Sequence, residues 1–282
     1  MLKIINKFLN FILWILVPYF LVSLATKYFG IEMGIGVVIL TFVALFLKFK
    51  ATIYTLIAAR KFAANHDDGF KWYQKAYDTG KMNAQQSLIY AYLLIRDGHI
   101  DKAHRLINSV TGQKKDKLTP SNIQASELNL ALILWKKGDL SGAIELMEKI
   151  GCEGYRSTVY YSNLGLFYTL DNQLEKAEKI TLEALEFNPS DAGIRDNLGF
   201  IYYKKGETDK ALEVYEKLFK DTTPAFTEAF YNYGLVLEAK GDYRGASEQY
   251  LKARSCPERY LSPVKLGHID IALSRVEEKI PI

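Results

Sequence analysis

The chain has almost no cysteine. Cys152 and Cys256 are its only two, far apart, with no CxxC and no neighbouring histidine, so a multi-bridge disulfide scaffold and a cysteine-rich zinc site are both excluded. In a reducing compartment they read as small core or surface residues. Histidine is scarce too: His66, His99, His104 and His268 are scattered and form no HExxH, so no metal is expected. Glycines punctuate the chain singly and build no phosphate loop. Without a cluster of titratable groups the sequence reads as a non-enzyme with no cofactor. An excess of one charge is also missing. The net charge is +4, with basic and acidic residues interleaved, which argues against a nucleic-acid surface.

Long apolar runs are absent after about residue 50, and two lie before it. Phe8 to Thr26 carries no charge over 19 residues, and a second run, "MGIGVVILTFVALFL", ends at Leu47. Roughly 20 apolar residues cross a bilayer core as a helix. The first run meets that length, and the second does so once Phe29 to Ile31 are added. The spans are therefore expected at about 8–26 and 29–47, joined by a tight turn at "KYFGIE", with Pro18 marking a kink. Lys3 and Lys7 precede the first span; Lys48, Lys50, Arg60 and Lys61 follow the second. Positive-inside counting puts both ends in the cytoplasm and makes this a two-span protein of the cell membrane. Two other readings remain: a signal peptide with Ser23 and Ala25 near its cleavage site, and a hairpin buried in a soluble core. "GIEMG" (Gly30 to Gly34) fits either a GxxxG packing motif or a turn.

Beyond the apolar runs the chain repeats itself. Leu164-Gly165, Tyr168 and Ala177 recur as Leu198-Gly199, Tyr202 and Ala211, a period of 34. Further copies hold Tyr233-Gly234 and Ala246, Leu130-Ala131 and Ala143, and more faintly Tyr90-Ala91 and Ala103. Each copy places apolar residues at helical spacing on both sides of a Gly or Asn, which predicts two amphipathic helices and a turn. Gly98, Gly138, Gly206 and Gly241 stand where a left-handed cap is wanted. Gly165, Gly199 and Gly234, and Ala177, Ala211 and Ala246, stand where two helices would cross closely. One such hairpin cannot bury its apolar face alone, so the hairpins stack.

These copies resemble tetratricopeptide repeats (TPRs). "NLGLFYTLDNQLEKAEKITLEALEFNP" carries the family's Leu-Gly, aromatic, two Ala and terminal Pro in order, with Tyr161, Arg195 and Phe230 where the family's Trp stands. The resemblance covers about 84–258 and implies an all-α solenoid. The domains expected are two transmembrane helices in 1–50, a linking helix and degenerate first repeat in 51–82, a TPR solenoid in 83–258, and a C-terminal capping helix in 259–282. The helix opening 51–82 reads as a continuation of the second span or the start of that degenerate repeat, "TGQKKDKLTP" (111–120) inserts a polar loop, and Ser262 and Pro263 read as N-cap and N1 of the last helix.

Four asparagines share one phase of the repeat: Asn129, Asn163, Asn197 and Asn232. A carboxamide both donates and accepts, which suits a grip on peptide backbone. In TPR proteins that clamp extended peptides Asn at this position often does so, and the resemblance carries that role to these four. Trp135, Phe200, Tyr203 and Lys204 on neighbouring inner positions complete the candidate peptide-binding set. A two-carboxylate clamp is only partly matched, by Lys136, Arg195 and Lys204. The resemblance implies a membrane-anchored scaffold of bacterial type that binds a protein or peptide on its concave face, with the lipid bilayer as its other partner and an oligomeric state left open. The alternative is a structural subunit of a membrane assembly whose hairpin packs against partner helices.

Overall fold

The computed structural model describes residues 16–112 and 118–280. Every regular element among them is helical, and they fall into two compact units, Met1–Gln86 and Ser87–Ile282. In the first unit, α1 (Val17–Phe29) meets α2 (Ile31–Ala64) at Gly30. Gly30 has a φ of 90°, a left-handed conformation that costs a residue without a Cβ little, so the turn needs one residue. Only Gly30 of "GIEMG" makes the turn; Ile31 to Gly34 are already helical, and Gly34 lies against Thr26 where the two helices approach. The first apolar run begins at Phe8, so its opening residues lie outside the described ones. Pro18 falls in the first described turn of α1, so the kink expected there is not testable within the described residues.

Helix α2 continues without a break through residue 50 to Ala64, and α3 (His66–Asp78) folds back onto it. Asn65 makes the reversal: it is extended, and its Oδ1 accepts the Asp68 N–H at 3.0 Å, satisfying an orphan donor of α3. Gly69 then lets α3 approach the Phe62 backbone, where a Cβ would lie 2.5 Å from Phe62 Cα.

Among the described residues, the second unit holds five hairpins and a final helix. They are α4 (Ala84–Arg96, which begins in the first unit) with α5 (Ile100–Thr111), α6 (Pro120–Lys136) with α7 (Leu140–Cys152), α8 (Thr158–Leu170) with α9 (Leu174–Phe187), α10 (Ala192–Lys204) with α11 (Thr208–Asp221), α12 (Thr227–Ala239) with α13 (Tyr243–Ser255), and α14 (Leu266–Glu277). The hairpin turns are chemically alike. Gly98, Gly138, Gly206 and Gly241 all have positive φ, and Asn172 takes the same place at φ 61°, Asn being the non-glycine residue that best tolerates it. In each turn the following N–H reaches the carbonyl five residues back, as in Gln173 to Tyr168 at 2.8 Å and Glu207 to Tyr202 at 2.9 Å, closing the first helix.

Within a hairpin the helices cross at paired volumes. Ala103, Ala143, Ala177, Ala211 and Ala246 are all fully buried. Gly199 lies against the Tyr215 ring, where a Cβ would meet it at 2.6 Å, and Gly234 lies the same way against Tyr250. Between hairpins, α8 packs on α10 and α10 on α12. Each fully buried Leu or Ile of the core, such as Leu132, Ile133 and Ile194, contributes roughly 1.5–3 kcal/mol.

The expected Trp position is filled in two chemistries. Tyr161 packs on Phe187 with ring centroids 5.6 Å apart. One repeat on, Arg195 pairs with Asp221 at 3.0 Å, so an ion pair replaces an aromatic pair at the same two places. The last helix starts later than expected. Ser262 is not its N-cap: its hydroxyl donates to the Val264 carbonyl and accepts the Val264 N–H, holding a turn, and α14 begins at Leu266. Pro263 therefore lies in the connecting segment.

Candidate functional site

The first helices of successive hairpins wall a cavity of about 450 Å³ in the second unit. Asn163 and Leu166 of α8, Asn197 and Phe200 of α10, and Asn232 of α12 all line it. The repeat brings them together because a 34- or 35-residue period returns the same helix face to the same side of the stack. Four of the eight candidate residues thus meet in one place. Asn129, Trp135, Tyr203 and Lys204 are not part of its wall. Trp135 packs on Phe167 at 5.3 Å, Tyr203 stacks on Phe200 at 6.2 Å, and Lys204 Nζ donates to the Thr169 carbonyl at 3.3 Å.

Three of the asparagines also tie one hairpin to the one before. Asn129 Nδ2 donates to the Leu88 carbonyl at 2.9 Å, and Asn197 Nδ2 to the Ser162 carbonyl at 3.1 Å. Asn232 Nδ2 donates to Asp196 Oδ1 at 3.1 Å. Asn129 and Asn232 are buried; Asn163 and Asn197 are half-buried. The shared phase therefore has an inter-repeat role whatever else it does.

Asp196 is the wall residue that periodicity could not announce. The corresponding positions in the neighbouring copies hold Ser162 and Tyr231, so no repeat signal marks it. It is 4% exposed, and its Oδ1 accepts from the Tyr215 hydroxyl at 2.8 Å as well as from Asn232. Burial pushes its pKa up to about 7, against the lowering effect of those two hydrogen bonds; the nearby Glu228 adds to the rise. Glu228 also lines the cavity.

The C-terminal part of the chain supplies another part of the cavity wall. Arg259, Leu261, Pro263 and Val264, from the segment between α13 and α14, line it together with His268 of α14. Nearby, the Tyr260 ring lies against Gly98 and 4.8 Å from Lys136 Nζ. Burial, and to a lesser extent the charge of Lys265, holds the Lys136 pKa below its usual range. His268 Nδ1 accepts the Lys265 N–H at 3.2 Å, which opens α14. These contacts join residues distant in sequence and outside the repeat, so the pattern of 34 gives no sign of them.

The sequence profile of the tetratricopeptide repeat family matches residues 198–259. Solved structures agree over a longer stretch. A tetratricopeptide repeat protein from Parabacteroides merdae superposes with a TM-score of 0.61 at 14% identity, over 92% of this chain and 98% of that one. Residues 198–259 match the tetratricopeptide repeat family, and the chain shares the fold of tetratricopeptide repeat proteins. A TPR protein of Thermus thermophilus matches with a TM-score of 0.54 at 20% identity, over 70% of this chain and 100% of that one. PilF of Pseudomonas aeruginosa matches with a TM-score of 0.56 at 13% identity, over 83% and 99%. At these identities the TPR likeness is one of fold. No curated protein matches the sequence.

Proposed function

We propose that this protein is a membrane-anchored scaffold whose repeats hold an extended segment of a partner protein in the concave cavity. The observation that carries this reading is the convergence of Asn163, Asn197, Asn232 and Phe200 on one cavity wall. The Asn163 side chain makes no hydrogen bond among the described residues, and the side chains of Asn197 and Asn232 use only Nδ2, so amide oxygens are left to accept from a peptide backbone. Phe200 and Leu166 supply an apolar wall for a side chain.

Anchoring rests on α2. It is the one described helix long and apolar enough to cross a membrane, by length and composition, and Leu40, Phe42 and Phe46 on it are exposed. Lys48, Lys50, Arg60 and Lys61 follow its apolar part, which favours a cytoplasmic location for what comes after. With α1 as part of a second span, both ends are cytoplasmic.

A photo-crosslinking residue at position 200, introduced in native membranes, tests the binding reading against one at Lys217 on another face. A partner captured at 200 and not at 217, and lost on Asn163→Ala, supports the concave face. Equal capture at both positions removes it. A subunit of a membrane assembly would instead crosslink through α2 at Phe42.

A further inference from the structure

Asp196 leaves one oxygen unused. Oδ1 takes both side-chain hydrogen bonds, from Tyr215 and Asn232, and the Tyr215 hydroxyl also lies 3.0 Å from the Asp196 carbonyl oxygen. Oδ2 accepts from no described residue, although the side chain is almost wholly buried and forms part of the cavity wall. Oδ2 is not among the sealed, unpartnered side-chain oxygens, so it is open to the cavity, where a donor on a bound group can reach it.

We propose that the cavity takes a basic side chain of the partner segment, an alkylammonium or guanidinium group seated between Asp196 and Glu228. This rests on the reading of the concave face given above and specifies its partner. Both carboxylates line the same cavity, and among the described residues neither forms an ion pair. Of the other titratable groups facing them, Arg259 is exposed and His268 has Nδ1 occupied by the Lys265 N–H. Tyr215 already donates to Oδ1.

The remaining wall explains why the visitor is a long cation. Leu166, Phe200, Leu261 and Val264 are apolar, and the methylene stem of a lysine or arginine packs on such surface while its head finds the carboxylates. An acidic segment would meet Glu228 and, wherever it is ionised, Asp196. A purely apolar one would seal Oδ2 without a donor.

The test uses the full chain in detergent micelles and three dye-labelled, end-blocked pentapeptides, Ala-Leu-Xaa-Leu-Ala, with Xaa lysine, arginine or norleucine, read by fluorescence anisotropy. The lysine or arginine peptide should bind about tenfold or more tighter than the norleucine peptide, as one charge-assisted contact warrants. Asp196→Asn should erase that preference, and Glu228→Gln, half-buried and free of the Tyr215 network, should reduce it should Asp196→Asn not fold. Norleucine binding as well as lysine overturns the proposal. If that equal binding is lost on Phe200→Ala, the concave-face reading survives alone. A preference unchanged in both carboxylate variants, or no binding by any peptide, also overturns it.

Discussion

Arg275 grips Glu238 with two parallel contacts, Nε to Oε1 and Nη2 to Oε2, each 2.7 Å long. The pair ties α14 to the last hairpin, and Tyr250 donates to the same carboxylate at 2.9 Å. Glu238 is the more enclosed partner, with its side chain 12% exposed against 43% for Arg275. The hydrogen bonds from Arg275 hold the Glu238 pKa below the usual range.

Arg275→Ala should therefore loosen α14 and cost about 1–2 kcal/mol, discounted for the solvent around the guanidinium. Arg275→Lys should recover less than half, because an ammonium lacks the fork. The sign with pH follows from a lowered carboxylate pKa: the contribution is present above the unfolded value near 4.3 and is lost as pH falls through the folded value. Urea unfolding of wild type and Arg275→Ala should give a stability gap that narrows in acid. A gap independent of pH would show the pair to be idle.

Thr181 occupies the place held by Tyr215 and Tyr250 in the next two hairpins, opposite Gly165. Its hydroxyl is buried and has no hydrogen-bond partner among the described residues. Thr181→Val keeps the shape and removes the orphan, so it should raise stability by about 1 kcal/mol. A shift of the denaturant midpoint upward with unchanged slope is expected; a downward shift would mean the hydroxyl is satisfied in solution.

The stack was legible because its causes are local and recur. From Gly138 onward, glycine or asparagine at φ above zero, alanine at the crossing and an aromatic or small residue opposite it return every 34 or 35 positions, as at Gly206, Ala211 and Gly199. What did not recur was not legible. Asp196 stands at a place where other copies carry Ser162 and Tyr231, and the Arg259–Val264 segment belongs to no repeat. Periodicity also cannot say which partner a polar side chain has. The asparagine phase was visible, but its donors reach the preceding hairpin at Leu88, Ser162 and Asp196, contacts 35 to 41 residues away that only the fold creates.

That double role separates two variants. Asn197→Ala removes one half-buried hydrogen bond to the Ser162 carbonyl, a loss of roughly 0.5–1.5 kcal/mol that the better helix propensity of alanine partly offsets. Asn232→Ala strips a donor from the buried Asp196 carboxyl and should cost more, about 1–3 kcal/mol. Thermal unfolding should rank the variants in that order. Equal melting temperatures for wild type and Asn232→Ala would remove Asn232 from the inter-repeat network.

The buried Asp196 also makes stability depend on pH in the direction opposite to Glu238. Its pKa is raised from 3.8 to about 7, so between those values the folded chain binds a proton that the unfolded chain releases. Stability from this group is then highest below about pH 4, falls as pH rises to about 7, and is flat beyond, a total on the order of 4 kcal/mol. The groups that set this are Tyr215 and Asn232, which donate to Oδ1, and Glu228, which repels, with Arg259 and His268 on the cavity wall. Asp196→Asn keeps an oxygen for both donors and cannot ionise. The variant should match wild type near pH 4 and exceed it increasingly up to about pH 7, with the gap level beyond, so the two melting curves should diverge over that range. Parallel curves over that range would mean that Asp196 stays in one protonation state throughout. A variant less stable at every pH would mean that the carboxylate form itself holds α10 to α11 and α12.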